Sequence, residues 1–221
     1  MSSKKLVPFV GLLSAVMCLF HAFSGSLTLY IHPRYVLFTV IMSSVGAISL
    51  AIALTMKSLH PTKAVSFPLL ILCITYIITI VAIPAKTLSP RTALTRQQTN
   101  QLLPTSERST FDSFSSDYSH FDIKDWYTLL QSNPRPEQII DKEAKLNGFF
   151  YRKDGNPYIA RFRLSCCAVD ATPLAIPIEV SENLLEGEWY SISGKIVDSA
   201  NPKVKVAEIH KIEEPDEPYI Y

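Results

Sequence analysis

The chain has 221 residues, 48% of them hydrophobic, and a net charge of +1, which makes it longer and more apolar than a single small soluble domain. The near-neutral charge averages two dissimilar halves. All 20 acidic residues lie at or after Glu107, whereas 8 of the 21 basic residues precede it.

From the N-terminus, three segments contain no Asp, Glu, Lys or Arg: Leu6 to about Ile31, Tyr35 to Met56, and Val65 to Ala85. A bilayer core of about 30 Å takes about 20 apolar residues as a helix, so three transmembrane helices are expected. Lys4 and Lys5 ahead of the first segment suggest a signal peptide, but its apolar run extends well past a signal core of about 7 to 15 residues and reads as an anchor. Basic residues gather in cytoplasmic loops. Lys4, Lys5, Lys57 and Lys63 flank the first and second segments on one side and only Arg34 lies on the other, which places the N-terminus in the cytoplasm and the region after Ala85 outside. Lys86, Arg91 and Arg96 follow the third segment and argue against that orientation.

Proton- or cation-coupled transporters carry an intramembrane carboxylate, because charge in hydrocarbon is retained where it works. None is present here. His21 is expected to hydrogen-bond a neighbouring helix or to lie at the membrane interface, and not to relay protons. The small residues between Ser43 and Ala53 allow close helix packing, within the chain or against a partner.

Residues 86–120 are rich in Ser, Thr, Gln and Pro without an apolar period, which predicts a flexible linker. Order is expected to return at FDIKDWYTLLQSNPRPEQI, where Asp122 can cap a helix that buries Trp126, Leu129 and Leu130 along one face. Five strands follow, at about 145–152, 158–165, 171–180, 189–198 and 203–214, with turns such as KDGNP between them. The fold class is therefore membrane α plus β: helical spans followed by an extracytoplasmic domain, residues 121–221, built as a small OB-like five-stranded barrel. A sandwich is the alternative. Residues 141–221 hold 10 basic and 14 acidic residues, the wrong sign for a phosphate-binding surface, so nucleic acid is not an expected partner.

The chemistry concentrates in RFRLSCCAVDATPLAIPIEV. Successive strand side chains point to opposite faces, so Cys166 and Cys167 cannot act together while they remain in a strand. If the backbone departs, three readings are open: structural thiols, a redox pair, or ligands to a metal with Asp170. A disulfide between adjacent residues spans a Cα separation of about 3.8 Å and is strained. Two thiolates alone are too few for a metal site, and the nearest further candidates, Asp170, His120 and His210, match no known ligand spacing.

The turn YIHPRY (Tyr30 to Tyr35), then NGFFYR, RFRLSCCAVDATPLAI and WYSISGKI, resemble the YcgQ-type family of bacterial permease subunits. The family pattern is roughly R-x-x-x-x-C-C-x-A-D-A-x-P-x-G. Arg161, Cys166, Cys167, Asp170, Ala171 and Pro173 match it, whereas Val169 replaces an alanine and Ala175 a glycine. The resemblance implies a multi-pass protein of the bacterial plasma membrane acting with a larger polytopic YcgR-type permease subunit on an unknown substrate. It implies binding roles for Arg161, Cys166, Cys167, Asp170 and Pro173 and names no cofactor. No serine, histidine and acid arrangement, glycine-rich phosphate loop or paired catalytic carboxylates stands out in the sequence, so an enzyme is not expected. The alternative is a membrane-tethered thiol-redox or metal-handling protein using Cys166 and Cys167.

Overall fold

A computed structural model describes residues 6–55, 86–100, 118–132 and 136–221, with isolated positions 71, 75 and 78. The chain forms two compact units, Met1–Thr87 with Cys166–Ala168, and Leu88–Ser165 with Val169–Tyr221.

In the first unit, α1 (Leu6–Phe23) and α2 (Pro33–Thr55) are joined by a 3-10 turn at Ser26–Leu29. The expected first span to Ile31 is thus not one helix: it stops at Phe23, and Gly25 takes a left-handed φ of 77° that only a residue without Cβ adopts at no cost. His21 Nδ1 is hydrogen-bonded to Ser26 Oγ at 2.8 Å, closing the turn as a local contact. α2 restarts at Pro33, whose missing N–H is one the first turn leaves unbonded anyway. The helices pack closely, since a Cβ at Gly11 would lie 2.9 Å from Leu50 Cδ1.

Hydroxyls along both helices, Ser14, Thr39, Ser44 and Ser49, donate to the carbonyl four residues back. Each of these hydroxyls is therefore satisfied within its own helix, an arrangement compatible with apolar surroundings. α2 buries no residue and exposes Leu37, Phe38, Ile41, Met42, Val45, Ile48 and Ile52. Among the described residues it is the one helix long and apolar enough to cross a membrane, and α1 is shorter. The expected third span, 65–85, and the basic residues Lys57 and Lys63 lie almost wholly outside the described residues.

The second unit starts earlier than the composition suggests. Within the expected linker, Pro90–Asn100 is helical (α3), with Ala93 fully buried. The linker reading missed it because one small alanine carries the packing and no apolar period marks the rest. Two polar contacts hold its surroundings: Leu88 N donates to Tyr219 Oη at 2.9 Å, and Arg96 Nη1 donates to Ala171 O at 2.8 Å. Residues 101–117 of the expected linker are outside the described residues.

α4 (Ile123–Ser132) begins as expected at Asp122, whose Oδ1 accepts from Lys124 N at 2.7 Å and Asp125 N at 3.0 Å. Asp125 Oδ2 accepts in return from Asp122 N at 3.2 Å, the reciprocal form of a capping box. Trp126 and Leu129 are buried, Leu130 half-buried. Ile123, Trp126 and Leu129 join the main core of the β domain with Leu146, Phe150, Ile176 and Ile192.

The strands are β1 (Glu143–Lys153), β2 (Asn156–Arg163), β3 (Thr172–Glu179), β4 (Trp189–Val197), β5 (Lys203–Ile212) and β6 (Tyr219–Ile220). They form a six-stranded sheet in the order β1-β4-β5-β3-β2-β6, with β1 also paired to β2. The expected five strands are all present and β6 is additional, running parallel to β2 through Phe162↔Tyr219 and Arg163↔Ile220. The β1–β2 hairpin turns at Asp154 and Gly155, both at positive φ as a type I′ turn requires. β1 changes partner along its length, pairing β4 from Glu143 to Phe149 and β2 from Phe149 to Lys153. At the changeover a Cβ on Gly148 would fall 2.5 Å from Ala160 O, so glycine lets the strands approach.

A second aromatic group sits apart from the main core. Phe149 stacks on Phe162 at 5.3 Å and meets Trp189 edge-on at 6.0 Å, while Tyr151 stacks on Tyr158 at 5.4 Å. Burial, followed by the neighbouring Tyr158 and Tyr127, pushes the Tyr151 phenol well above the ordinary tyrosine range; burial also raises Tyr127. A raised acid pKa in the folded state means that the unfolded chain releases its proton first as pH climbs. Stability is then fully present below the ordinary tyrosine pKa of about 10 and falls above it, by no more than about 1.4 kcal/mol per pH unit for one tyrosine. Urea unfolding at stepped alkaline pH is expected to show this fall, and Tyr151→Phe to make it shallower.

Candidate dithiol site in the β2–β3 loop

β2 ends at Arg163 and β3 begins at Thr172, so the cysteine pair lies in the connection between them, outside regular strand. Leu164 is buried and its N–H donates to Ile220 O at 2.9 Å, the last ladder-like bond before the chain turns away. Ser165 and Cys166 form a bend, and Ala168–Asp170 a single 3-10 turn. Local and distant bonds hold the loop: Ser165 N donates to Asp170 Oδ1 at 3.3 Å and Thr172 Oγ1 to Asp170 O at 3.3 Å, while His32 N donates to Cys166 O at 3.0 Å and Ala168 N to Tyr30 O at 2.7 Å, an antiparallel bridge of Cys167 with Ile31. The short Asp170 carboxylate, reaching back to an amide five residues earlier, helps to fold the segment on itself.

The fold cancels the alternation that would have separated the two thiols. Cys166 Sγ and Cys167 Sγ lie 3.6 Å apart without a covalent bond, Cys166 exposed and Cys167 half-buried. Asp170 completes the group, and the three ligand atoms lie within 4.8 Å of one another. Among the described residues this is the one group of three or more His, Cys, Asp or Glu side chains so arranged, and neither His120 nor His210 belongs to it. Val169, at the tip, is 83% exposed.

The other motif residues have different surroundings. The Arg161 guanidinium donates to three backbone carbonyls, Pro218 at 3.3 Å, Tyr219 at 3.4 Å and Glu217 in a shorter contact, and lies over the Trp189 ring at 5.8 Å. Burial works against its charge, offset by the Asp122 and Glu217 carboxylates. Arg161 therefore clamps the segment carrying β6, and its place in the motif reflects folding. Pro173 is buried in β3 opposite Phe162. Ala175, where the pattern has glycine, is buried opposite Ala160.

Arg163 went unnoticed in the sequence. Its Nε is buried with no hydrogen-bond partner among the described residues, and nothing in the alternation of β2 signals that.

No curated protein matches the chain. The sequence profile described as the DUF1980 C-terminal domain matches residues 95–221, which covers α4, all six strands and the dithiol loop. More than half of the chain is matched, in agreement with the YcgQ-type resemblance, and the protein belongs to the DUF1980 family, whose domain has no known function.

Proposed function

We propose that the protein is the accessory subunit of a two-component bacterial permease, multi-pass in the plasma membrane, with a cytoplasmic N-terminus and an extracytoplasmic C-terminal domain. The observation that carries this reading is the β2–β3 loop, which leaves strand geometry and gathers two thiols and a carboxylate in an accessible position. A β domain that served only as ballast on a membrane anchor would have no use for that departure. On this reading the cycle of pairings β1-β4-β5-β3-β2-β1 is an OB-like five-stranded barrel, a fold whose strands and loops commonly carry ligand contacts. The three apolar segments 6–31, 35–56 and 65–85 contain no Asp, Glu, Lys or Arg for ion passage, so on this reading the transport path belongs to a larger YcgR-type partner and the chain is its non-enzymatic subunit. The exposed apolar side of α2 faces lipid or that partner.

Purification in mild detergent from native membranes is expected to bring down a polytopic partner in fixed ratio; recovery of this protein alone would count against the reading. A membrane-impermeant maleimide applied to intact cells is expected to label the Cys166–Cys167 pair. Labelling only after lysis would reverse the topology.

The 3.6 Å sulfur spacing favours a second reading, a membrane-tethered thiol-redox or metal-handling protein that works without a pore. Full activity in Cys166→Ser and Cys167→Ser variants would sink it.

A further inference from the structure

The geometry points to Cys166, Cys167 and Asp170 as an open, three-ligand binding site for a thiophilic d10 divalent cation, of which Zn(II) and Cd(II) are the representatives. This deepens the reading of the loop as the working surface and does not depend on the permease partnership. The sulfurs stand at the contact distance of two reduced thiols, and that distance suits one use of such a pair without rearrangement. A disulfide needs them at about 2.05 Å, and the adjacent Cα atoms resist that approach. Two sulfurs bound at about 2.3 Å to one tetrahedral ion stand about 3.8 Å apart, and the pair is at 3.6 Å. The dithiol is thus set at the bite of a tetrahedral cation with almost no movement.

The third donor fits the same ion. A carboxylate oxygen at about 2.1 Å from a tetrahedral cation lies about 3.6 Å from each bound sulfur, and the Asp170 oxygen is already within 4.8 Å of both. Asp170 is oriented by the Ser165 amide, as a ligand carboxylate usually is by an outer hydrogen bond. Binding balances simply: each thiol releases its proton to the buffer as its sulfur bonds to the metal, and no electron is transferred. Three protein ligands leave one tetrahedral position for water or an incoming donor. Closed four-ligand sites are structural, whereas an open one exchanges, which suits a loop that receives and hands on a cation.

The test is titration of the reduced, detergent-purified full chain with Cd(II), following the ultraviolet thiolate-to-metal charge-transfer band, with Zn(II) competing against a chromogenic chelator. One cation per chain is expected. Cys166→Ser/Cys167→Ser should abolish the band while unfolding at the same urea concentration as the parent, and Asp170→Asn should weaken Zn(II) by at least about tenfold. A band that survives the double variant would place the metal on Cys18 or Cys73 and overturn the site. An unchanged affinity in Asp170→Asn would remove the carboxylate from the ligand set and overturn the three-ligand proposal. Reduced protein that takes up neither metal would overturn it outright. None of these results depends on a partner being recovered, so this proposal and the permease reading fail separately.

Discussion

Trp126→Ala is expected to cost about 3 to 5 kcal/mol, the range for truncating a buried large aromatic side chain. Trp126 has no exposed surface, stacks on Tyr118 at 5.6 Å and meets Phe121 edge-on at 5.4 Å. It also sits in the same core as Leu146, Ile176 and Ile192. A domain is typically stable by only about 5 to 15 kcal/mol, so this loss is a large part of the total. Trp126→Phe should be far milder. The indole Nε1–H is buried with no hydrogen-bond partner among the described residues, and removing an unsatisfied donor returns part of what the lost volume costs. Urea unfolding followed by Trp189 fluorescence reads both variants, since Trp126 and Trp189 are the two tryptophans of the chain. An alanine variant as stable as the parent would show that α4 is not part of the folded core.

Gly148→Val is expected to be poorly tolerated in β1. A Cβ there meets Ala160 O at 2.5 Å, Ile159 Cγ2 at 2.9 Å and Ala160 C at 3.0 Å. Two of those atoms are backbone, which cannot swing aside as a side chain can. Overpacking usually costs about 1 to 3 kcal/mol and occasionally more. Gly148→Ala belongs in that range, and valine, with two further methyl groups, above it. The damage falls where β1 leaves β4 for β2, so both pairings weaken together. Gly46→Ala is the contrast: a Cβ in α2 meets nothing within 4 Å and glycine is a poor helix former, so alanine should be neutral or slightly stabilising. Loss of the cooperative urea transition in Gly148→Val, with retention in Gly46→Ala, is the expected pair of outcomes.

The five longer strands were legible because period-two alternation and turn residues such as Asp154 and Gly155 are local signals, as was the Asp122 cap. Their arrangement was less so, since the parallel pairing of β3 with β5 at Ile178↔Val204 joins segments with no turn between them. β6 was hidden because two residues are too short for a periodic pattern and lie within the acidic EEPDEPYIY. α3 was hidden by a linker-like composition. For the site, the sequence posed the question without answering it: whether Cys166 and Cys167 share a side depends on the bend after Leu164, which is held by the Asp170 carboxylate and by backbone bonds to Tyr30 and His32, more than a hundred residues earlier. Motif spacing grouped Arg161 with the thiols, although its partners, Glu217 to Tyr219, are more than fifty residues further along.

That clamp has a consequence for biogenesis. β6 completes the edge beside β2, and the Arg161 guanidinium is fully engaged only when residues 217–219 arrive. A chain emerging N-terminus first, from a ribosome or through a translocon, can form the β1–β2 hairpin early, but it carries a half-buried guanidinium without its carbonyl partners and an open strand edge until Tyr219 has followed. The β2 edge therefore closes only once residues 217–220 have been made, which ties completion of the domain to a segment more than fifty residues downstream of the strand it covers.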